Sequence, residues 1–287
     1  MNKIAFIKYI CALLLFGLNG IIASYINLSS YEIVFFRTMI GSLFLVMLFL
    51  IIKGKFHINE NKRDFVFILL SGVAMGTSWM FLYEAYQKIG VSFASLLYYC
   101  GPVIVMIMSP LMFQEKLTKL KIVSFLIVLF GVLLVNRSMI AEKNVWGMFC
   151  GLMSAVTYFF MVTLNKQSTN ITGIENSVIQ LTVSFLTVAL FVIYKQNIIQ
   201  VPERTWHWIL ILGILNTGIG CYLYFSSLSK LPVQTVAICG YLELLSAVVF
   251  AALLLEEKMT LTQVLGAVCI IGGAILGEAD KFISLEN

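Results

Sequence analysis

Charge is what this chain has least of. Asp, Glu, Lys and Arg make up 11% of its 287 residues, against 60% hydrophobic side chains and a mean hydropathy of +0.97. So few charges cannot coat one soluble core of that size, and the composition implies an integral membrane protein. Histidine is almost missing as well. The two that occur, His57 and His207, sit at loop edges and form no His-Glu-x-x-His, which removes the zinc hydrolases. No Gly-x-Ser-x-Gly is present, so a serine-hydrolase elbow is removed too. The Gly-x-x-x-x-Gly-Lys loop is also lacking, which excludes ATP drive within this chain. No filter or charge array of a channel is visible. We expect a protein that is not an enzyme and takes no cofactor. The six cysteines, at 11, 100, 150, 221, 239 and 269, contain no Cys-x-x-Cys and fall mostly in apolar runs. Neither a disulfide framework nor a metal site is expected from them.

Apolar runs of about 18–22 residues cross a bilayer core of roughly 30 Å. Ten are present, at 6–26, 31–52, 65–87, 92–113, 119–137, 145–165, 174–194, 206–228, 233–255 and 261–279. The first, behind Lys3 and Lys8, is too long for a signal-peptide core and lacks an Ala-x-Ala cleavage pattern, so it reads as a membrane helix. Connections are short and leave no room for a soluble domain. The fold class expected is all-α integral membrane.

Gly76–Val135 returns without a gap 142 residues later as Gly218–Gly277. The identical positions include Gly76/Gly218, Lys88/Lys230, Tyr99/Tyr241, Glu115/Glu257, Lys116/Lys258, Thr118/Thr260 and Gly131/Gly273. The shared Glu-Lys-x-Thr between hydrophobic runs marks an internal duplication. Among the early helices, Glu32 and Glu175 correspond at a spacing of 143 and otherwise only the hydropathy agrees. Five helices per copy is odd, so the second copy enters the membrane from the opposite side. The expectation is therefore two inverted five-helix repeats, 1–138 and 139–287, within one membrane domain. With the N-terminus inside, cytoplasmic segments hold twelve Lys and Arg and outer loops six, with Arg37 inside helix two. That bias places both termini in the cytoplasm.

Phe35-Phe36-Arg37, the helix-four run Tyr99-Cys100-Gly101-Pro102-Val103, the Glu-Lys-x-Thr turns and the glycines Gly131, Gly266, Gly272 and Gly273 occur in order on the ten helices. In this the chain resembles the drug/metabolite transporter superfamily, specifically its ten-helix EamA-like branch. The resemblance implies an alternating-access carrier of small organic solutes in the cell membrane, plasma or inner. Its central cavity would be lined by helices one to four and six to nine, with five and ten peripheral. On the same ground export is the expected direction. The family often carries Leu-Glu-Pro in helix nine. Here Tyr241-Leu242-Glu243-Leu244 keeps the Glu without the proline, and helix four has Pro102 with Gly101 in place of the Glu.

Polar groups at bilayer depth cost several kcal/mol, so each needs a reason. Glu243 lies near mid-membrane with Gly240 one turn before it and Ser246 and Ala247 one turn after. It reads as a proton carrier or a partner for a cationic substrate, or else as a packing hydrogen bond. Pro102 deprives the Tyr98 carbonyl of its helical partner and Gly101 loosens the same turn. Ser95, Tyr98, Tyr99 and Pro102 would then line a cavity opposite Gly240 and Glu243; the alternative is a packing kink. Arg37 lies roughly 9 Å inside the outer end of helix two. It either snorkels, serves structure or gating, or binds a substrate carboxylate. Trp79, Tyr83 and Tyr86 make an aromatic stripe on helix three, packing wall or solute wall. Ser177, Gln180, Ser184 and Thr187 form a polar stripe on helix seven, for solute or for interhelical hydrogen bonds. Asn19, Tyr158, Asn165 and Asn216 are single polar residues of the same kind.

The function expected is secondary active transport of small metabolites such as amino acids or amines. The alternative is a non-transporting membrane partner or lipid-handling protein. The partners expected are a small-molecule substrate, the lipid bilayer, and protons or a counter-substrate, with no nucleic acid. Glycines on helices five and ten would permit the close contact of a homodimer.

Overall fold

A computed structural model describes residues 2–57, 62–89, 91–115, 118–135, 144–194, 205–254 and 261–283. Every regular element among them is helical: α1 (Lys3–Gly17), α2 (Asn19–Ser24), α3 (Ser30–Ile51), α4 (Lys62–Ile89), α5 (Val91–Tyr98), α6 (Cys100–Phe113) and α7 (Lys119–Val135). There follow α8 (Val145–Gln167), α9 (Gly173–Tyr194), α10 (Trp206–Ile211), a π-helical turn (Leu212–Ile219), α11 (Gly220–Leu228), α12 (Val233–Gly240), α13 (Leu242–Leu254) and α14 (Leu261–Ile283). Six continuous spans are long and apolar enough to cross a membrane: Lys3–Ser24, Ser30–Ile51, Lys62–Ile89, Val145–Gln167, Gly173–Tyr194 and Trp206–Leu228. Shorter apolar helices cover Cys100–Phe113, Val233–Ala247 and Val264–Gly277. Leucines and valines such as Leu50, Leu111, Leu190 and Val268 stay exposed on the outside, as lipid-facing side chains do.

Helices approach closely where side chains are small. Gly41 on α3 faces Thr217 and the Gly213 carbonyl, while Gly213 faces Ile40 and Gly218 faces Phe44. A Cβ at any of these would fall within about 3 Å of its neighbour, so the glycines set the distance between α3 and the π-turn. Hydroxyls do similar work between α4 and α8, where Ser71 donates to the Met161 carbonyl at 2.7 Å and Ser78 to that of Ser154 at 2.8 Å. Gly131 and Gly273 press α7 and α14 together within this one chain: a Cβ on Gly131 would meet the Gly266 carbonyl at 2.7 Å, and one on Gly273 the Ser124 carbonyl at 2.8 Å. Of the glycines read as dimer contacts, only Gly272 has open space in front of it among those described.

Three of the expected membrane helices are interrupted at one residue, the first at Leu18 and the fourth and ninth at equivalent places 142 residues apart. Tyr99 (φ −69°, ψ −3°) separates α5 from α6, and Tyr241 (φ −68°, ψ −12°) separates α12 from α13. Pro102 then falls in the first turn of α6, where a missing N–H costs nothing. Pro110 lies deeper in α6, and the Ser109 hydroxyl bonds the Met106 carbonyl that this proline leaves without its donor. α6 ends on Gln114 in the left-handed region, φ 55°.

Candidate functional site

The two breaks face one another. The Tyr241 hydroxyl donates to the Tyr99 carbonyl at 2.8 Å, and the two rings lie 5.8 Å apart. One residue before the second break, Gly240 looks onto the Tyr9 hydroxyl, the Tyr158 hydroxyl and Pro102, all within 4.0 Å of where a Cβ would stand. Tyr9 is fully buried and fixed by donation to the Val236 carbonyl at 2.9 Å. Tyr98 packs edge-on against both Tyr99 and Tyr158, at 5.7 and 5.3 Å. Tyrosines from α1, α5 and α8, with the two at the breaks, thus surround one spot.

Glu243 sits on the first turn of α13 beside this spot. It lies within electrostatic reach of Tyr9, Tyr86, Tyr98, Tyr99 and Tyr158, all of them inward-facing. The residue is half-buried. Ser246 Oγ donates to its backbone carbonyl at 2.8 Å and to that of Leu13 at 3.3 Å, while its carboxylate has no hydrogen-bond partner among the described residues.

Arg37 does not snorkel. It is 2% exposed and points inward from α3, one turn before Gly41. Its Nε donates to Thr217 Oγ1 at 3.0 Å and one terminal nitrogen to the Tyr83 hydroxyl at 3.0 Å. The other reaches Asn19 Oδ1 at 3.5 Å, and the guanidinium lies 4.5 Å from the centre of the Trp79 ring. The sequence-predicted Arg37, Trp79, Tyr83 and Asn19 therefore converge on one place. Thr217 is presented by the π-turn, where its hydroxyl also donates to the Leu212 carbonyl five residues back at 2.8 Å. Asn216 donates to the Leu15 carbonyl at 2.7 Å and to Asn19 Oδ1 at 3.2 Å, leaving its own buried Oδ1 unpartnered.

Gln180 is not brought to this site. It accepts from Asn165 at 3.2 Å and donates to Ser71 at 2.9 Å, while Asn165 and Asn176 exchange hydrogen bonds at 2.9 and 3.0 Å. That network ties α9 to α4 and α8 and takes up Gln180 from the polar stripe read from the sequence, while Ser184 Oγ on the same stripe is buried without a hydrogen-bond partner. Ser177 and Thr187 turn back to carbonyls of their own helix, at Gly173 and Val183. Ser95 instead lies beside the aromatic stripe, donating to the Tyr86 hydroxyl at 3.3 Å. Tyr9, Thr217 and Tyr224, whose hydroxyl lies 3.4 Å from that of Tyr158, are not singled out by the sequence. The one available signal for Thr217 was Asn216-Thr217-Gly218, three small or polar residues in succession inside an apolar run.

Below the break, Glu115 caps α12. Its carboxylate accepts from the backbone N–H of Val233 at 2.7 Å and of Gln234 at 3.1 Å, a placement that the positive end of a helix favours. Lys121 bonds the Gln234 side chain, which itself donates to Ser109 Oγ at 3.2 Å, and Lys166 bonds the Leu231 carbonyl. Lys116 and the matching turn at 257–260 lie outside the described residues. On this side α6 packs on α12; beyond the breaks α5 packs on α4 and α8, and α13 packs on α1 and α14.

All six cysteines are free thiols, and no cluster of three metal-ligating side chains occurs among the described residues.

The model of the EamA-like transporter family matches residues 3–137 and again 144–277. The chain is 26% identical to the uncharacterized transporter YxxF of Bacillus subtilis over 95% of this chain and 88% of that one. It is 22% identical to an uncharacterized transporter of Helicobacter pylori J99 over 90% and 89%. A solved crystal structure shares the fold, with a TM-score of 0.81 over 95% of this chain and 96% of that one at 16% identity. With its apolar spans and two family matches covering nearly its whole length, the chain is a multi-pass membrane protein that belongs to the EamA-like transporter family.

Proposed function

We propose that the chain is a secondary active transporter that exports small organic metabolites, such as amino acids or amines, by alternating access across the cell membrane. Ten spans form two inverted five-helix repeats, divided near residues 138 and 139, and both termini lie in the cytoplasm. The observation that carries the reading is the meeting of two helix breaks, Tyr99 and Tyr241, beside a half-buried carboxylate, Glu243, with no hydrogen-bond partner among the described residues. Broken helices at matching places in two repeats are where carriers of this design hold their solute.

In this reading Glu243, Tyr98, Tyr99, Pro102 and Gly240 form one wall of the solute site and Arg37, Trp79, Tyr83 and Asn19 the other. α6 and α12 meet under Glu115, on the side this reading takes as cytoplasmic. Energy comes from a proton gradient or from solute exchange, with Glu243 carrying the proton where protons are used.

The test is a thermal-shift screen of the purified protein against a metabolite library, followed by flux of the hits in proteoliposomes. Substrate-dependent flux that collapses in Glu243→Gln at unchanged expression supports the proposal. A library with no hit and vesicles with no flux would leave a non-transporting or lipid-handling role instead.

A further inference from the structure

We propose that Glu115, Lys121 and Lys166 form a lock on the hairpin between α11 and α12, and that this lock keeps the cytoplasmic mouth of the carrier shut at rest. The inference rests on the carrier reading above and adds to it a resting state and the residues that set it.

Between α11 and α12 the chain turns through residues 229–232, and neither end of that turn completes itself. Pro232 stands at the N-cap of α12, where it has no side-chain oxygen to accept from the first amides of the helix. Glu115 supplies the acceptor from the other repeat, at 2.7 Å from the Val233 nitrogen and 3.1 Å from that of Gln234. On the α11 side of the turn, the Leu231 carbonyl accepts from Lys166 near the end of α8. A carboxylate at the amide end of one helix and an ammonium at the carbonyl end of the other match the dipoles of both. Leu231 and Val233 are two residues apart, at most about 7 Å, so the two charges grip a single tip.

Lys121, in the first turn of α7, holds the Gln234 amide, which also donates to Ser109 Oγ at 3.2 Å. Leu231, Val233 and Gln234 are each 1% exposed or less, so the tip is plugged into the bundle and does not rest on its surface. All three charged side chains bond neutral groups of the hairpin. Opening exchanges those bonds for bonds to water and breaks no salt bridge, which suits a contact that must open and close.

The other repeat does not repeat this lock. At the spacing of 142 residues Glu115 answers to Glu257, but Lys121 answers to Gln263, Gln234 to Ser92, Ser109 to Ala251 and Lys166 to Ser24. Ser24 turns back to the Ile21 carbonyl of its own helix at 2.7 Å. Two matching halves would populate their two exchanged states equally. Two ammonium groups and one amide that serve a single mouth bias that equilibrium toward the state in which this mouth is closed.

A membrane-impermeant maleimide is the probe, applied to the full chain in nanodiscs, with each rate divided by that of the same thiol in unfolded protein. Cys239 on α12 reports on the cytoplasmic mouth and, in a second protein, Ser95→Cys on α5 reports on the other; the remaining native cysteines are replaced in both. In the parent the thiol placed at 95 should react roughly tenfold faster than Cys239. Lys166→Met and Glu115→Gln should each raise the Cys239 rate by roughly threefold or more and lower the rate at 95 in step. Equal rates in the parent remove the resting bias, and a rise at Cys239 with no fall at 95 reduces the lock to local packing; either overturns the proposal. If Lys166→Met fails to fold, Lys121→Met and the parent comparison decide the matter. Flux in proteoliposomes without the reciprocal labelling refutes the lock and leaves the carrier reading intact; absence of any flux refutes the carrier reading and the lock with it.

Discussion

Tyr241 donates its hydroxyl proton to the backbone carbonyl of Tyr99, the residue that occupies its own position in the other half of the chain. A contact between repeat-related residues lies on the pseudo-symmetry axis of the duplication, so the two helix breaks are held by one another. Tyr241→Phe removes this hydrogen bond at a cost of about 1 kcal/mol, and the melting temperature in detergent should fall by roughly 2 °C. Tyr99→Phe keeps the accepting carbonyl and should leave that bond in place. A larger loss for Tyr99→Phe than for Tyr241→Phe would show that ring packing, not the hydrogen bond, holds the junction.

Glu115, just past the end of α6 in one repeat, reaches the start of a half-helix in the other. Glu115→Ala strips the acceptor from the N–H groups of Val233 and Gln234, which costs about 1 kcal/mol at a helix cap, and it frees α12 from the far end of α6. Cys239, buried on α12, reports on this. In a protein whose other five cysteines are replaced, the maleimide labelling rate of Cys239 should rise severalfold with Glu115→Ala. An unchanged rate would mean that α12 is held by the Gln234 and Leu231 contacts without the cap.

Gln180 tests the difference between a site residue and a structural one. All its polar atoms are engaged within the bundle, so Gln180→Leu leaves Asn165 and Ser71 short of partners and should cost about 1–3 kcal/mol. The apparent KM of whatever protein remains folded should match the parent. A raised KM at unaltered thermal stability would return Gln180 to the solute site.

What was legible beforehand followed from covalent pattern, and what was hidden depended on which partner each polar group finds. The membrane class and the repeat came from composition and spacing. Pro102 announced the break in the fourth expected helix, but the ninth breaks at Tyr241 with Leu244 where a proline would match, so proline is not the shared cause. The ten spans do not all appear as continuous helices, because the fourth and ninth are each built from short halves. Arg37 and Gln180 carried the same signal, a polar residue in an apolar run. One is held by Thr217, Tyr83 and Asn19 over the Trp79 ring and the other by an amide network, a distinction set by helix rotation and by the glycines of the π-turn rather than by either residue's neighbours in sequence.

Gly101 and Gly240 lie near the two breaks and answer differently to a methyl group. At Gly101 a Cβ would stand 2.6 Å from a Tyr158 ring carbon and 3.1 Å from the Ala155 carbonyl, so α6 and α8 would have to part. At Gly240 the nearest atoms are the Tyr9 hydroxyl at 3.6 Å and the Tyr158 hydroxyl at 3.9 Å, ordinary contacts. Gly101→Ala should therefore destabilise the protein by about 1–3 kcal/mol, the range of overpacked cores. Gly240→Ala should melt within roughly 2 °C of the parent, yet it places a methyl group among the tyrosines beside Glu243. Its effect should appear in substrate affinity, and larger side chains at 240 should weaken binding of the bulkiest substrates first. Equal melting losses for the two alanines, with affinity untouched, would place Gly240 in the packing of the bundle and not in the wall of the site.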